Sequence, residues 1–121
     1  MARILAVDDS PAMRQMVSVT LRSAGHHVVE ALDGREALEM AKKTPAVDLV
    51  ITDVNMPNMD GITLVKELRQ LAHYHGVPLL VLTTEASAQK KQEGKAAGAT
   101  GWIVKPFNPE RLLATVARVV V

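Results

Sequence analysis

Five polar residues stand out because each ends or directly follows a short apolar run. Asp8 and Asp9 follow Arg3-Ile4-Leu5-Ala6-Val7, Asp53 follows Leu49-Val50-Ile51-Thr52, Thr83 follows Leu79-Leu80-Val81-Leu82, and Lys105 follows Gly101-Trp102-Ile103-Val104. Three carboxylates crowded together cannot all stay ionised without a countercharge. A hard divalent cation with oxygen ligands supplies one, and Mg²⁺ takes few protein oxygens while keeping waters for a phosphate. A lysine and a threonine hydroxyl beside such a cluster can each hold a phosphoryl oxygen. Taken alone, Asp53 reads first as a turn or helix-capping aspartate, and Lys105 as a solvated lysine. Asp8-Asp9 alone would cap a helix N-terminus, a task that Ser10 already performs. Only convergence of all five on one place makes a site.

The elements that must position them follow from the pattern. Continuous apolar runs of four or five residues bounded by turn residues read as buried strands. His27-Val28-Val29-Glu30-Ala31 adds another, so there are strands near 3–7, 27–31, 49–52, 79–82 and 101–104. Between them lie helical segments. Ser10-Pro11 opens the first, with Met13, Met16, Val17, Thr20, Leu21 and Ala24 at helical spacing and Gly25 as its stop. Asp33-Gly34 opens the second, with Ala37, Leu38 and Ala41 inward. The third carries Ile62, Val65, Leu68 and Leu71-Ala72, with Asp60 as its cap and Gly76 as its end. Ala86–Ala99 is a fourth whose only apolar residues are alanines, with Gly94 inside it. Asn108-Pro109 caps a fifth carrying Leu112, Leu113, Val116, Val119 and Val120. Strict alternation of strand and helix predicts a doubly wound α/β fold, with a five-stranded parallel sheet and helices on both faces. In such a sheet every strand ends at one edge, which gathers Asp8, Asp9, Asp53, Thr83 and Lys105.

Composition narrows the function classes. The chain has 121 residues, 48% hydrophobic and 22% charged, which is the balance of a globular domain. We expect one domain over residues 1–121. Without cysteine there is no disulfide, thiolate metal site or cysteine nucleophile. No apolar run approaches a membrane span and no signal peptide is evident, so a cytoplasmic protein without a membrane partner is expected. The net charge of +1 hides an asymmetry: residues 1–85 carry 8 basic and 11 acidic side chains, and residues 86–121 carry 6 and 2. A basic third on a near-neutral chain suits an acidic protein surface better than nucleic acid, since dense Arg clusters with interleaved aromatics are missing.

Val7-Asp8-Asp9-Ser10, Asp53 within Asp-Val-Asn-Met-Pro-Asn-Met-Asp-Gly, Thr83-Thr84 and Lys105-Pro106-Phe107 occur in the order that defines response-regulator receiver domains, and the chain resembles that family over essentially its whole length. The Met-Pro-Asn-Met-Asp-Gly run and Met13-Arg14 are most similar to its single-domain, CheY-type chemotaxis branch. The resemblance implies a flavodoxin-like sheet of order 2-1-3-4-5, for which CheY-like proteins are a standing example. It implies that Asp53 accepts a phosphoryl group from the phosphohistidine of a CheA-like histidine kinase. Asp8, Asp9, Asp53 and the Asn55 backbone carbonyl would hold Mg²⁺, and Lys105 would assist, joined to Pro106 by a cis bond. Thr83 would be the switch hydroxyl, paired with Trp102 where the family usually places Tyr, Phe or His. Asn55, Thr84 and Glu85 match positions that tune dephosphorylation, either self-catalysed or aided by a phosphatase. Lys90, Lys91, Lys95 and Trp102 would face a target such as the flagellar motor switch. The implied protein is a monomeric signalling module rather than an enzyme.

Alternatives within the fold are a phosphorelay shuttle or a phosphate sink. An aspartyl phosphotransferase or phosphatase of the haloacid-dehalogenase type would need an acid/base aspartate two residues after Asp53, where Asn55 stands. A flavin-binding chain would need a Gly-rich phosphate loop where Asp8-Asp9 stands. Trp102 is larger than the family's usual residue, so its ring is expected to bury incompletely or to serve as a plain surface aromatic. The alanine-lined fourth helix, with Gly94 costing roughly 1 kcal/mol relative to alanine, is expected to be the least firmly held. His26-His27 and His73-Tyr74-His75 have no third metal ligand nearby and read as exposed loop histidines.

Overall fold

The computed structural model describes residues 2–84 and 88–120, in strict alternation of strand and helix. The elements are β1 (Arg3–Val7), α1 (Pro11–Ser23), β2 (His27–Ala31), α2 (Gly34–Lys43), β3 (Leu49–Asp53), α3 (Gly61–Leu68), a 3-10 turn (Ala72–Tyr74), β4 (Leu79–Thr83), α4 (Ala88–Ala97), β5 (Gly101–Val104) and α5 (Pro109–Val119). The sheet has the order β2-β1-β3-β4-β5, and every pair in it is parallel. After β2 the chain crosses back past β1 to lay down β3. The order therefore reverses between β1 and β3, and a crevice opens beyond their C-terminal ends.

Strand alternation divides the interior into two cores. Ile4, Ala6, Leu49, Ile51, Leu80 and Leu82 pack with Val17 and Leu21 of α1 and Leu112 and Val116 of α5. Leu5, Val7, Val50, Leu79 and Val81 pack with Ala37, Leu38 and Ala41 of α2 and Leu64, Val65 and Leu68 of α3. Both faces of β1, β3 and β4 are thus covered, which is why those runs are continuously apolar.

Side-chain oxygens cap α1, α2, α3 and α5 at their N-termini. Ser10 Oγ accepts from Met13 N–H at 3.3 Å, Asp33 Oδ1 from Glu36 N–H at 2.9 Å, and Asp60 Oδ1 from Thr63 N–H at 2.7 Å. Asn108 Oδ1 accepts from both Glu110 N–H at 2.8 Å and Arg111 N–H at 3.1 Å. Each cap fixes the exit of a loop at the same edge of the sheet, where polar groups can collect.

Several local expectations are corrected. The third helix does not run on through Leu71-Ala72; it ends at Leu68. Arg69 stops it by donating to the carbonyls of Tyr74 at 2.7 Å, Val77 at 2.8 Å and Gly98 at 3.0 Å. Those bonds draw the chain into the 3-10 turn that buries Tyr74. The inner face of α1 is Val17, Ser18 and Leu21, whereas Met16 is exposed. Two of the histidines hold backbone groups: His26 Nδ1 accepts from Ala2 N–H at 3.1 Å, and His73 Nε2 lies 2.8 Å from the Ala41 carbonyl.

The fourth helix is as thinly anchored as its composition implies, since Gly94 is its one buried residue. The glycine has a reason that the sequence does not reveal. A Cβ added there would lie 2.7 Å from Cζ3 and 3.2 Å from Cε3 of Trp102, so the indole occupies the space that a side chain would take. The Trp102 ring is half-buried against the core on the α2–α3 face, and its Nε1 has no hydrogen-bond partner among the described residues. Large ring and missing side chain form one packing unit. Gly94→Ala is therefore expected to destabilise the chain by about 1–2 kcal/mol in urea unfolding, because overpacking outweighs the gain in helix propensity. In a Trp102→Ala background the same change should stabilise by roughly 1 kcal/mol. An effect of equal sign in both backgrounds would contradict the pairing.

Candidate functional site

The crevice between the ends of β1 and β3 holds the acidic cluster. One oxygen from each of Asp8, Asp9 and Asp53 lies within 4.8 Å of the others. Asp8 and Asp53 are buried, at 3% and 6% exposure, while Asp9 faces solvent. β1 delivers Asp8 by ending one residue before it, and β3 includes Asp53 as its last residue.

Lys105 reaches into the cluster from the far side of the sheet. Its Nζ lies 3.1 Å from Asp53 Oδ1 and 3.4 Å from Asp8 Oδ2. The Lys105–Pro106 peptide bond is cis, and Lys105 N–H donates to the Thr83 carbonyl at 2.7 Å, fastening the lysine to the end of β4. Asp53 Oδ1 also accepts from Val54 N–H at 2.8 Å, and Asp8 Oδ1 from Ser10 N–H at 2.9 Å. These bonds aim both carboxylates and leave Asp9 open to solvent.

Among the described residues one ammonium, that of Lys105, is paired with two of the three carboxylates. Burial pushes the Asp8 carboxyl above its ordinary value, with the negative charge of Asp53 adding to the rise; the Ser10 N–H and Lys105 oppose it without cancelling it. A hard divalent cation fits this donor set, because it brings the missing positive charge to oxygens already grouped around one point.

The remaining candidates take the following places. Thr83, fully buried, ends β4 opposite Val104 of β5, and Thr84 beside it is exposed. Asn55 is exposed on the loop after β3. Lys90, Lys91 and Lys95 lie on α4, and Trp102 lies in the middle of β5 on the side of that helix. Glu85 lies outside the described residues. Arg14, read from sequence only as part of the Met13-Arg14 likeness, has a bracing role: it donates Nη1–H to the Asp8 carbonyl at 2.7 Å and Nε–H to Glu30 at 3.1 Å, holding the turn after β1.

The raised Asp8 carboxyl sets a sign for stability. The folded chain holds that proton more tightly than the unfolded one, so ionising Asp8 costs stability. The cost is absent below the usual value of 3.8 and complete above the raised one. In metal-free buffer, Asp8→Asn should therefore be more stable than wild type at pH 7 by about 1–2 kcal/mol. The advantage should vanish near pH 4. Urea unfolding with chelator at both pH values checks it, and a difference independent of pH would contradict it.

Comparison with known proteins agrees with this geometry. The response regulator receiver domain family matches residues 4–117. A chemotaxis protein CheY homolog of Campylobacter jejuni is 40% identical over 111 residues, covering 91% of this chain and 85% of that protein. Among solved structures, the Vibrio cholerae chemotaxis protein CheY4 superposes with a TM-score of 0.93 at 60% identity, covering 98% of both chains. The receiver domain of the Pseudomonas aeruginosa sensor histidine kinase PA1611, solved with a magnesium ion coordinated in its active-site cleft, superposes with a TM-score of 0.91 at 28% identity, covering 98% of this chain and 97% of that one. With the family matched along nearly the whole sequence and the acidic crevice at the end of β1 and β3, the chain belongs to the response regulator receiver domains and resembles their chemotaxis branch.

Proposed function

We propose that this chain is a phosphorylation-driven chemotaxis regulator in which Asp53 takes a phosphoryl group from a histidine kinase. The observation that carries the reading is the buried Asp53 carboxylate, 3.1 Å from the Lys105 ammonium within a cluster of three acids. An Asp53 oxygen forms the new P–O bond as the P–N bond of the donor's phosphohistidine breaks, and the imidazole keeps the electron pair. Such a transfer needs positioning and charge neutralisation more than covalent assistance.

Asp8, Asp9, Asp53 and the Asn55 backbone carbonyl would hold Mg²⁺, as the acidic crevice and the magnesium-bound PA1611 receiver suggest. Mg²⁺, when bound, neutralises the cluster and the charge of the incoming phosphoryl oxygens. Lys105 keeps its ammonium on Asp53 and is placed to bond a phosphoryl oxygen there. The Asp53 and Asp8 carboxylates are already oriented by the Val54 and Ser10 N–H groups. Thr83 bonds a second phosphoryl oxygen. Asn55, Thr84 and Glu85 govern how water reaches the acyl phosphate.

The new charge at the sheet edge is read on α4 and β5. Lys90, Lys91, Lys95 and Trp102 are the partner face in this reading: Lys91, Lys95 and Trp102 line one groove and Lys90 pairs with Glu93 at 3.9 Å beside it, suited to an acidic segment of a protein target such as the flagellar motor switch. The chemotaxis names of the Campylobacter and Vibrio relatives favour that target over a phosphorelay partner. The module signals in the cytoplasm and is not a turnover enzyme.

Incubation with acetyl phosphate and Mg²⁺ should phosphorylate the wild type and leave Asp53→Asn at background. Equal labelling of both would overturn the assignment. Trp102 is the only tryptophan, so its fluorescence reports the second half of the reading. Mg²⁺ with beryllofluoride should change its intensity, and unchanged emission would remove Trp102 from the switch while leaving Asp53 in place.

A further inference from the structure

The loop of residues 54–60 that carries Asn55 is pinned at two points. At its base, Gly61 N–H donates to the Val54 carbonyl at 2.8 Å, and the glycine lies so close to the Asp53 carbonyl that no Cβ fits between them. At its crown, Asn58 has a left-handed backbone with φ of +70°, and its Nδ2–H donates to Asp33 Oδ2 at 2.8 Å. Met59 closes over the start of α2 beside this bond: a Cβ on Gly34 would lie 2.6 Å from the Met59 carbonyl oxygen. The Asp33 carboxylate is held at its other oxygen, because Oδ1 caps α2 through Glu36 N–H at 2.9 Å. The Glu36 side chain in turn accepts Leu32 N–H at 2.9 Å, one residue before the cap. A capped helix start thus anchors the acceptor that catches the loop.

We infer that Asp33 and Asn58 are positioning residues for the cation site, latching the loop so that the Asn55 carbonyl is presented before the cation binds. The inference rests on reading Asp8, Asp9 and Asp53 as a Mg²⁺ site. Neither residue belongs to the carboxylate cluster, so they act through Asn55 and not on the cation. A loop that must be ordered on binding lowers apparent affinity by the fraction of chains already competent. A bond to an ionised carboxylate is stronger than a neutral one. The left-handed backbone at Asn58, which only Gly, Asn and Asp visit routinely, gives the amide its direction toward α2. The Glu36 N–H, and after it the Asn58 amide, hold the Asp33 carboxyl below its usual range, so the latch is charged at neutral pH.

The test is a calorimetric Mg²⁺ titration of the intact chain, with urea midpoints measured in chelator. Asp33→Ser keeps an acceptor for the Glu36 N–H but is too short for Asn58, and Asn58→Gly keeps the left-handed backbone but deletes the amide. Each should weaken Mg²⁺ by roughly three- to tenfold while the metal-free midpoint moves little. The exchange of partners, Asp33→Asn with Asn58→Asp, rebuilds the bond with donor and acceptor reversed and should restore affinity to within about twofold. Wild-type affinity in both single variants, or no recovery in the exchange, would overturn the latch while the site itself stood. If the wild type bound no Mg²⁺, the site reading would fall and the latch with it.

Discussion

Two buried carboxylates at the end of a parallel sheet, paired with one lysine and with a third carboxylate beside them, are the constraint on which this structure turns. Burial pushes the Asp8 carboxyl toward neutrality. Asp8 and Asp53 remain usable because Lys105 is carried across the sheet from the end of β5 and because backbone N–H groups occupy one oxygen of each. The Asp8 carboxyl is still displaced upward, first by burial and then by the charge of Asp53, and the Ser10 N–H and Lys105 do not cancel the rise. Carboxylate oxygens already grouped around one point suit a hard cation. The displacement of Asp8 is a cost to stability that serves function.

The rest of the fold divides labour around this edge. α1 and α5 on one face and α2 and α3 on the other bury large aliphatic side chains and hold the central strands rigid. The fourth helix is built differently. It buries only Gly94, against the Trp102 ring of the edge strand, and otherwise lies beside α3 with Ala97 partly buried on the core. A helix with so little buried apolar area is easier to displace than one seated on several leucines. A charge change at the end of β4 and β5 therefore has a weakly held neighbour to act on.

The fold and the carboxylate–lysine set were legible in the sequence because both depend on position along short-period patterns. Continuous apolar strands place their terminal residues at one edge, so Asp8, Asp9, Asp53, Thr83 and Lys105 could be assembled before any coordinates. What was not legible depends on contacts between residues far apart in the chain. Gly94 reads as a helix defect until Trp102 is seen over it. Arg69 reads as one more surface cation, yet its bonds to Tyr74, Val77 and Gly98 end α3 early and bury the tyrosine. Asp33 signals its capping role through Glu36 three residues on, but its second oxygen meets Asn58 across 25 positions, for which no local pattern exists. On α1 the expected Val17 and Leu21 are buried and Met13 packs beside them, but Met16 is exposed and Ser18, buried without a partner among the described residues, takes a place that the apolar period does not mark.

The central claim is that this acidic edge accepts a phosphoryl group on one defined oxygen-bearing side chain. Treatment of the acetyl-phosphate-labelled chain with borohydride, which reduces an acyl phosphate and marks its residue for peptide mass spectrometry, tests that most directly. The account predicts a single Mg²⁺-dependent reduction site at Asp53 and none at Asp8 or Asp9. A mark on either of those residues, or Mg²⁺-dependent labelling that survives without any mark at Asp53, would contradict it.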